Sequence, residues 1–152
     1  MAYTLSMSDP VMSSGSIHIG YADGANRHTQ NLASTAWVIY LPSGHLLSSG
    51  GSCLCPTTNS LAGYSAVIEL LVDDIHHDID QLIVRLDSQL VVYQLNGIYN
   101  IRNPILLRKY LCIKLLERQF QFITYEHIPR HLNYVSDALT NYVLDWHLRH
   151  NP

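Results

Sequence analysis

Charge is scarce in this chain. Only 14% of its 152 residues are Asp, Glu, Lys or Arg, whereas 47% are apolar. That balance excludes general disorder, which needs many charges and few apolar side chains. The length is one domain's worth and buries a respectable core. The formal charge of −3 argues against a strongly basic nucleic-acid binder. Cysteine is scarce too. Cys53 and Cys55 share one face of a strand, so a disulfide between them is not expected, and no second pair offers a zinc site. Buried, reduced thiols are the simpler reading. No apolar run is long enough to span a bilayer. The stretch Met1 to Ser16 lacks the basic-then-apolar order of a secretion signal. An intracellular location, nucleus or cytoplasm, and no membrane association are therefore expected. There is no internal repeat and no sign of a second domain.

What charge there is has an uneven distribution. Seven of the nine Lys and Arg residues lie from Arg102 onward, so an acidic first part is followed by a basic remainder. A localised phosphate-binding surface and an ordinary solvated helix face both fit that pattern. Residues 1–15 have no clear period and read as a flexible arm, with one domain over residues 16–150. Ile17 to Tyr21 alternates as a strand and runs into Asp23-Gly24, a turn signal. Ala33 to Leu41 and His45 to Leu54 are strands joined through Pro42-Ser43-Gly44. Asn59 opens a helix with an apolar stripe at Leu61, Tyr64, Val67, Ile68, Leu71 and Ile75. Leu82 to Leu86 reads as a buried central strand. A helix from Ser88 to about Asn96 stops at Gly97. Another opens at Asn103-Pro104 with Leu107, Leu111, Leu115 and Leu116 on one side. Phe120 to Ile128 is a last strand, and a final helix runs from Asn133 through Leu148. The order β-β-β-α-β-α-α-β-α implies an α/β fold: a mixed sheet with helices packed on it.

Three aspartates sit where such a fold presents ligands. Asp23 and Asp87 each follow a predicted strand, and Asp137 lies in the first turns of the last helix. If the first and fourth strands are parallel neighbours, Asp23 and Asp87 meet at their carboxyl ends. Crowded carboxylates raise one another's pKa and call for a cation. Hard oxygen donors select Mg²⁺ or Mn²⁺ rather than zinc. Taken singly, an Asp in such a place is more often a cap or turn residue than a ligand.

The motifs around them carry further information. They are Tyr21-Ala22-Asp23-Gly24-Ala25, Thr57-Thr58-Asn59-Ser60-Leu61-Ala62-Gly63-Tyr64, Leu86-Asp87-Ser88-Gln89, and His127-Ile128-Pro129-Arg130 with Asn133 and Asp137-Ala138-Leu139. In order and context these stations resemble the type 1 ribonuclease H family, in the branch found in archaea, plants and plant retroelements. The resemblance covers roughly Ile17 to Leu148. It implies a five-stranded mixed sheet, strands 1–3 antiparallel and strands 4 and 5 parallel to strand 1, with helices on both faces. It also implies metal-dependent cleavage of the RNA strand of RNA–DNA hybrids, with Asp23, Asp87 and Asp137 as catalytic and metal-holding groups. Asn59, Ser88, Gln89, Arg130 and Asn133 fall at substrate-binding positions. Asn59 and Ser88 also fit as helix caps. The long basic protrusion of some relatives is missing between Asn96 and Asn103. Hybrid binding should then be weaker or depend on an attached domain, such as a reverse transcriptase.

One station departs from the pattern. The family's catalytic Glu falls at Gly63. Gly in a helix interior costs roughly 0.8–1 kcal/mol relative to Ala, and nothing in local folding asks for it. Glu69, the nearest acidic residue, lies on a different face and is not expected to substitute. Mg²⁺ or Mn²⁺ should bind weakly and cleavage should be impaired. Of the histidines, His127 alternates with Tyr125 on a strand and reads as structural, and His131 in a loop is the better candidate for a role beside the last Asp. Three functions follow: an impaired hybrid nuclease, a non-catalytic hybrid- or duplex-binding module, or a protein-interaction domain on the same fold.

Overall fold

The computed structural model describes residues 16–151, and the expected N-terminal arm lies outside the described residues. Strand β1 (His18–Arg27) is followed by β2 (Leu32–Tyr40), β3 (Leu46–Leu54), helix α1 (Asn59–His76), β4 (Gln81–Leu86), α2 (Gln89–Leu95), α3 (Pro104–Glu117), β5 (Phe122–His127) and α4 (Tyr134–His150). Short 3₁₀ turns fill His28–Gln30 and Arg130–Asn133. The five strands form one sheet in the order β3-β2-β1-β4-β5. β1–β2 and β2–β3 pair antiparallel, while β1–β4 and β4–β5 pair parallel. Among the described residues no helix is long and apolar enough to cross a membrane.

Both faces of the sheet are covered, and alternation along the strands decides which side chain meets which helix. On β2, the Ser34 hydroxyl donates to the Thr140 carbonyl of α4 at 3.0 Å. Its neighbour Thr35 donates to Glu69 of α1 at 2.7 Å, on the other face. On β1, a Cβ at Gly20 would strike Leu70 and one at Gly24 would strike Ala62, both on α1. The even positions of β1 therefore face α1. Ile19 and Tyr21 instead line a cavity together with Tyr134 and Val135 of α4. Asp23 shares their parity. The core between α1 and the sheet is built from Tyr64, Val67, Leu70, Leu71, Leu82, Val84 and Leu86, with Val91, Leu95 and Ile113 closing it.

Four sequence expectations need correction. Asp23-Gly24 is not a turn: β1 runs on to Arg27, with Asp23 opposite Ala36 and Gly24 opposite Thr35. Glycine is needed there because α1 lies directly on the strand. A Cβ at Gly24 would come within 2.5 Å of the Ala62 carbonyl carbon. The Leu107, Leu111, Leu115 stripe of α3 faces solvent. The face turned inward carries Leu106, Tyr110, Ile113 and Leu116. That helix is apolar nearly all round, so spacing alone does not choose its buried side. On α1, Asp74 rather than Ile75 is buried. The cysteines are not core thiols, since Cys55 and Cys112 are exposed and Cys53 is half-buried.

Caps follow the sequence more closely. Thr58, not Asn59, caps α1, accepting the Leu61 N–H at 3.1 Å. Ser88 caps α2 through the Val91 N–H at 3.3 Å. Asn103 accepts from Ile105 and Leu106 ahead of Pro104 at the start of α3. Such caps are worth about 1 kcal/mol each.

Candidate nucleic-acid and metal site

Three elements deliver carboxylates to one cavity. Parallel pairing of β1 with β4, in register from His18↔Leu82 to Tyr21↔Arg85, brings Asp23 alongside the end of β4, which Asp87 follows directly. Helix α4 crosses the β1 and β2 face that Asp23 points to and places Asp137 in its first turn above it. The resulting cavity is about 430 Å³ and is lined by Asp23, Asp87 and Asp137, with Asn59, Gly63, Ser88 and Arg130 around them.

The electrostatics follow from this crowding. Burial, then the negative charges of Asp87 and Asp137, pushes the Asp23 carboxyl up to about 7, even though the Gly24 N–H donates to its Oδ1 at 2.9 Å. Asp87 is also raised, chiefly by burial, with Arg130 and a hydrogen bond from Asn133 pulling the other way. Arg130 supplies the local positive charge. Its Nη2 lies 3.7 Å from Asp137 Oδ1, and its side chain is 83% exposed at the cavity mouth. Acidic oxygens that strain against one another suit a hard divalent cation. Among the described residues, however, no three His, Cys, Asp or Glu side chains stand close enough to enclose a metal on their own. The donor set has the chemistry for such an ion, but its carboxylates do not close into a cage by themselves.

Gly63 lines this cavity from α1, directly behind the Gly24 contact. A Cβ built there would meet only Val91 Cγ2, at 3.5 Å, an ordinary van der Waals contact. Packing therefore does not require glycine at this point. Glu69 is engaged elsewhere, accepting hydrogen bonds from Thr35 and Ser52 at 2.7 Å each. It is held on the β2–β3 side and does not line the cavity.

The structure divides the expected substrate-binding residues. Asn59, Ser88 and Arg130 line the cavity, and Asn59 is free of capping duty. Gln89 is exposed and outside the cavity lining. Asn133 is only 1% exposed. Its amide donates to the Ala22 carbonyl at 3.0 Å and its oxygen accepts from Ser136, so it fastens the start of α4 to β1 beneath Asp23. Neither His127 nor His131 lines the cavity, and both are exposed. Two lining residues went unnoticed in the sequence. Asn26 reaches across to the Thr57 carbonyl, and Asn141 accepts from Arg27 at 3.0 Å. Asn141 was findable, because it lies one turn after Asp137 on the same helix face. A second cavity, about 380 Å³, is lined by Tyr21, Tyr40 and Tyr134 and holds no carboxylate.

Comparison with known proteins bears on the family and the fold. The profile of the family described as "Reverse transcriptase-like" matches residues 21–143. Ribonuclease HI of Halobacterium salinarum is 35% identical over 131 residues, covering 86% of this chain and 65% of that protein. The bifunctional protein Rv2228c of Mycobacterium tuberculosis is 31% identical over 125 residues, covering 82% of this chain and 34% of that protein. The chain thus spans less than two thirds of either relative. The crystal structure of the Halobacterium salinarum RNase H1 superposes with a TM-score of 0.80 at 34% identity, covering 85% of this chain and 98% of that one. LC11-RNase H1, solved in complex with an RNA/DNA hybrid, superposes with a TM-score of 0.79 at 32% identity, covering 86% of this chain and 99% of that one.

Proposed function

We propose, from the premise that this chain belongs to the type 1 ribonuclease H family, that it is a hybrid-binding domain whose RNA-cleaving activity is impaired at Gly63. The observation that carries the reading is the meeting of Asp23, Asp87 and Asp137 at a cavity whose α1 wall has a glycine where a Cβ would make only an ordinary contact. We read Gly63 as standing where relatives carry the fourth carboxylate.

Asp23, Asp87 and Asp137 would hold Mg²⁺ or Mn²⁺. When bound, such an ion supplies Lewis-acid polarisation of a phosphodiester. The chain's own groups provide the rest. Arg130, exposed at the mouth, offers a guanidinium to a phosphate oxygen. Asn59 and Ser88 offer polar contacts of the kind that read sugar hydroxyls and backbone in an A-form-like duplex. Asp23, with its carboxyl raised to about 7, is part-protonated near neutrality until a cation offsets the repulsion. Three aspartates alone should bind the ion weakly, so calorimetry should find poor Mg²⁺ binding and somewhat better Mn²⁺ binding. Tight Mg²⁺ binding by the unaltered chain would contradict this.

A non-catalytic binding module is the second reading, and Gly63 itself favours it. An attached domain would raise hybrid affinity in either case. Rv2228c, of which this chain matches 34%, is described as bifunctional. Cleavage of a labelled hybrid in Mg²⁺ and then Mn²⁺ separates the two readings. A binding titration against salt tests both at once, because phosphate contacts give a negative slope. Absence of hybrid binding at low and high salt alike would leave only a protein-interaction role.

A further inference from the structure

We propose that the outward face of α3 is a docking surface for a protein partner that presents an acid-flanked amphipathic helix. The face is apolar where it has no packing reason to be. Leu107, Leu111 and Leu115 are 40%, 51% and 62% exposed, while the opposite side of the helix already anchors it through Ile113 and Tyr110. Scattered single leucines on a surface are ordinary, but three in one row mark contact surfaces. These three stand four residues apart, so they form a single ridge of the kind that fits the groove of another helix. Ile105, 47% exposed, extends the apolar area at the N-terminal end.

Charge selects the partner. Arg108 is exposed on α3, exposed Arg118 caps its C-terminus, and Arg102 precedes it. The helix's one acidic residue, Glu117, is turned inward and occupied, accepting from Tyr125 at 2.6 Å and from Lys114 at 3.2 Å. Lys114 is also committed, donating to the Leu95 carbonyl at 2.7 Å. All the free charge on α3 is therefore positive. A second copy of the same face would set Arg108 and Arg118 against their own equivalents, which disfavours self-association. A nucleic acid would satisfy the arginines and leave the leucines wet. A helix with leucines in its seam and glutamates beside them answers both features. None of these residues lines the Asp23 cavity, so the proposal does not rest on the nuclease reading.

The test uses the full chain and a fluorescent synthetic helix about three heptads long, with leucine in the seam and glutamate on its flanks. A matched peptide with lysine for glutamate is the control. Saturable binding of the acidic peptide, at least tenfold tighter than the lysine peptide, is expected. Leu111→Glu should weaken it at least tenfold. The double variant Arg108→Glu, Arg118→Glu should reverse the preference between peptides. These positions are exposed, so unchanged thermal melts should accompany each variant. The proposal is overturned if neither peptide binds, if both bind equally, or if Leu111→Glu leaves binding intact. It is equally overturned if the unaltered chain sediments as a dimer that Leu111→Glu dissociates. Binding to phosphatidylserine vesicles that Leu111→Glu abolishes, without peptide binding, assigns the face to a lipid surface instead.

Discussion

Helix α1 treats carboxylates in opposite ways at its two ends. Near its start, Gly63 lines a cavity shared by three aspartates and adds no side chain, although a Cβ there would make only an ordinary contact. Near its end, Asp74 is 0% exposed, and neither carboxylate oxygen has a hydrogen-bond partner among the described residues. Burial, helped by neighbouring Asp73, pushes Asp74 up to about 8. Between them Glu69 is satisfied by two hydroxyls. The comparison separates two kinds of cost. At Gly63 the fold loses a little helix propensity and, on the function proposed above, the site lacks a ligand. At Asp74 the site is untouched and the fold carries an uncompensated acid, a group that is costly to bury charged.

The widest break in this comparison comes from the other glycine at the same contact. Gly24→Val should force α1 off β1, because a Cβ at this position already meets the Ala62 and Gly63 backbone within about 2.6 Å. A loss of at least ~3 kcal/mol, or failure to fold, is expected in urea denaturation, at or beyond the upper end of overpacking costs. Gly63→Ala at the neighbouring position should fold, because its Cβ meets only Val91 Cγ2 at 3.5 Å.

Asp74→Asn comes next. The folded carboxyl is raised from 3.8 to about 8, so the folded state binds the Asp74 proton more tightly than the unfolded chain does. The group's contribution is fully present below pH 4 and is lost as pH rises through 8. Asp74→Asn should therefore stabilise the protein by a few kcal/mol above pH 8 and by much less below pH 4, with a flatter profile between. Thermal melts across that range check it, and a gain independent of pH would mean that Asp74 is not the titrating group.

A smaller effect is expected for Thr35→Val. It strips one donor from Glu69 and the acceptor that the Ser52 N–H uses at 2.9 Å. The expected loss is about 1–3 kcal/mol, without any change in metal binding, because Glu69 stands away from the site. Smallest is Gly63→Ala, which should stabilise by about 1 kcal/mol through helix propensity alone.

Much of this was legible in the sequence for a simple reason: hydrophobic period and turn residues are local. They give the order of elements, the Pro104 helix start and the Gly97 stop, and they put Asp87 just after β4 and Asp137 in the first turn of α4, which topology then brings to Asp23 within β1. What was not legible depends on partners distant in sequence. Asp23-Gly24 reads as a turn until α1 is seen lying on Gly24. The buried side of α3 is undetermined when leucines occupy both sides, and only contact with α1 chooses Ile113 over Leu111. Asn133 reads as a substrate contact until its bonds to Ala22 and Ser136 are known. The burial of Asp74 has no local signal in the sequence, because a charge buried without a partner is rare and is set by what packs around it.

The central claim, that one missing carboxylate on α1 limits this site, is tested most directly by cleavage of a labelled RNA–DNA hybrid by Gly63→Glu in Mg²⁺ and Mn²⁺. Gly63→Gln serves as the uncharged control, and Gly63→Glu combined with Asp87→Asn as the broken-anchor control. Gly63→Glu should raise cleavage by orders of magnitude, Gly63→Gln should match its folding without its activity, and the double variant should lose the gain. A well-folded Gly63→Glu protein that leaves the hybrid uncut in both metals would contradict the claim and put the non-catalytic binding module first.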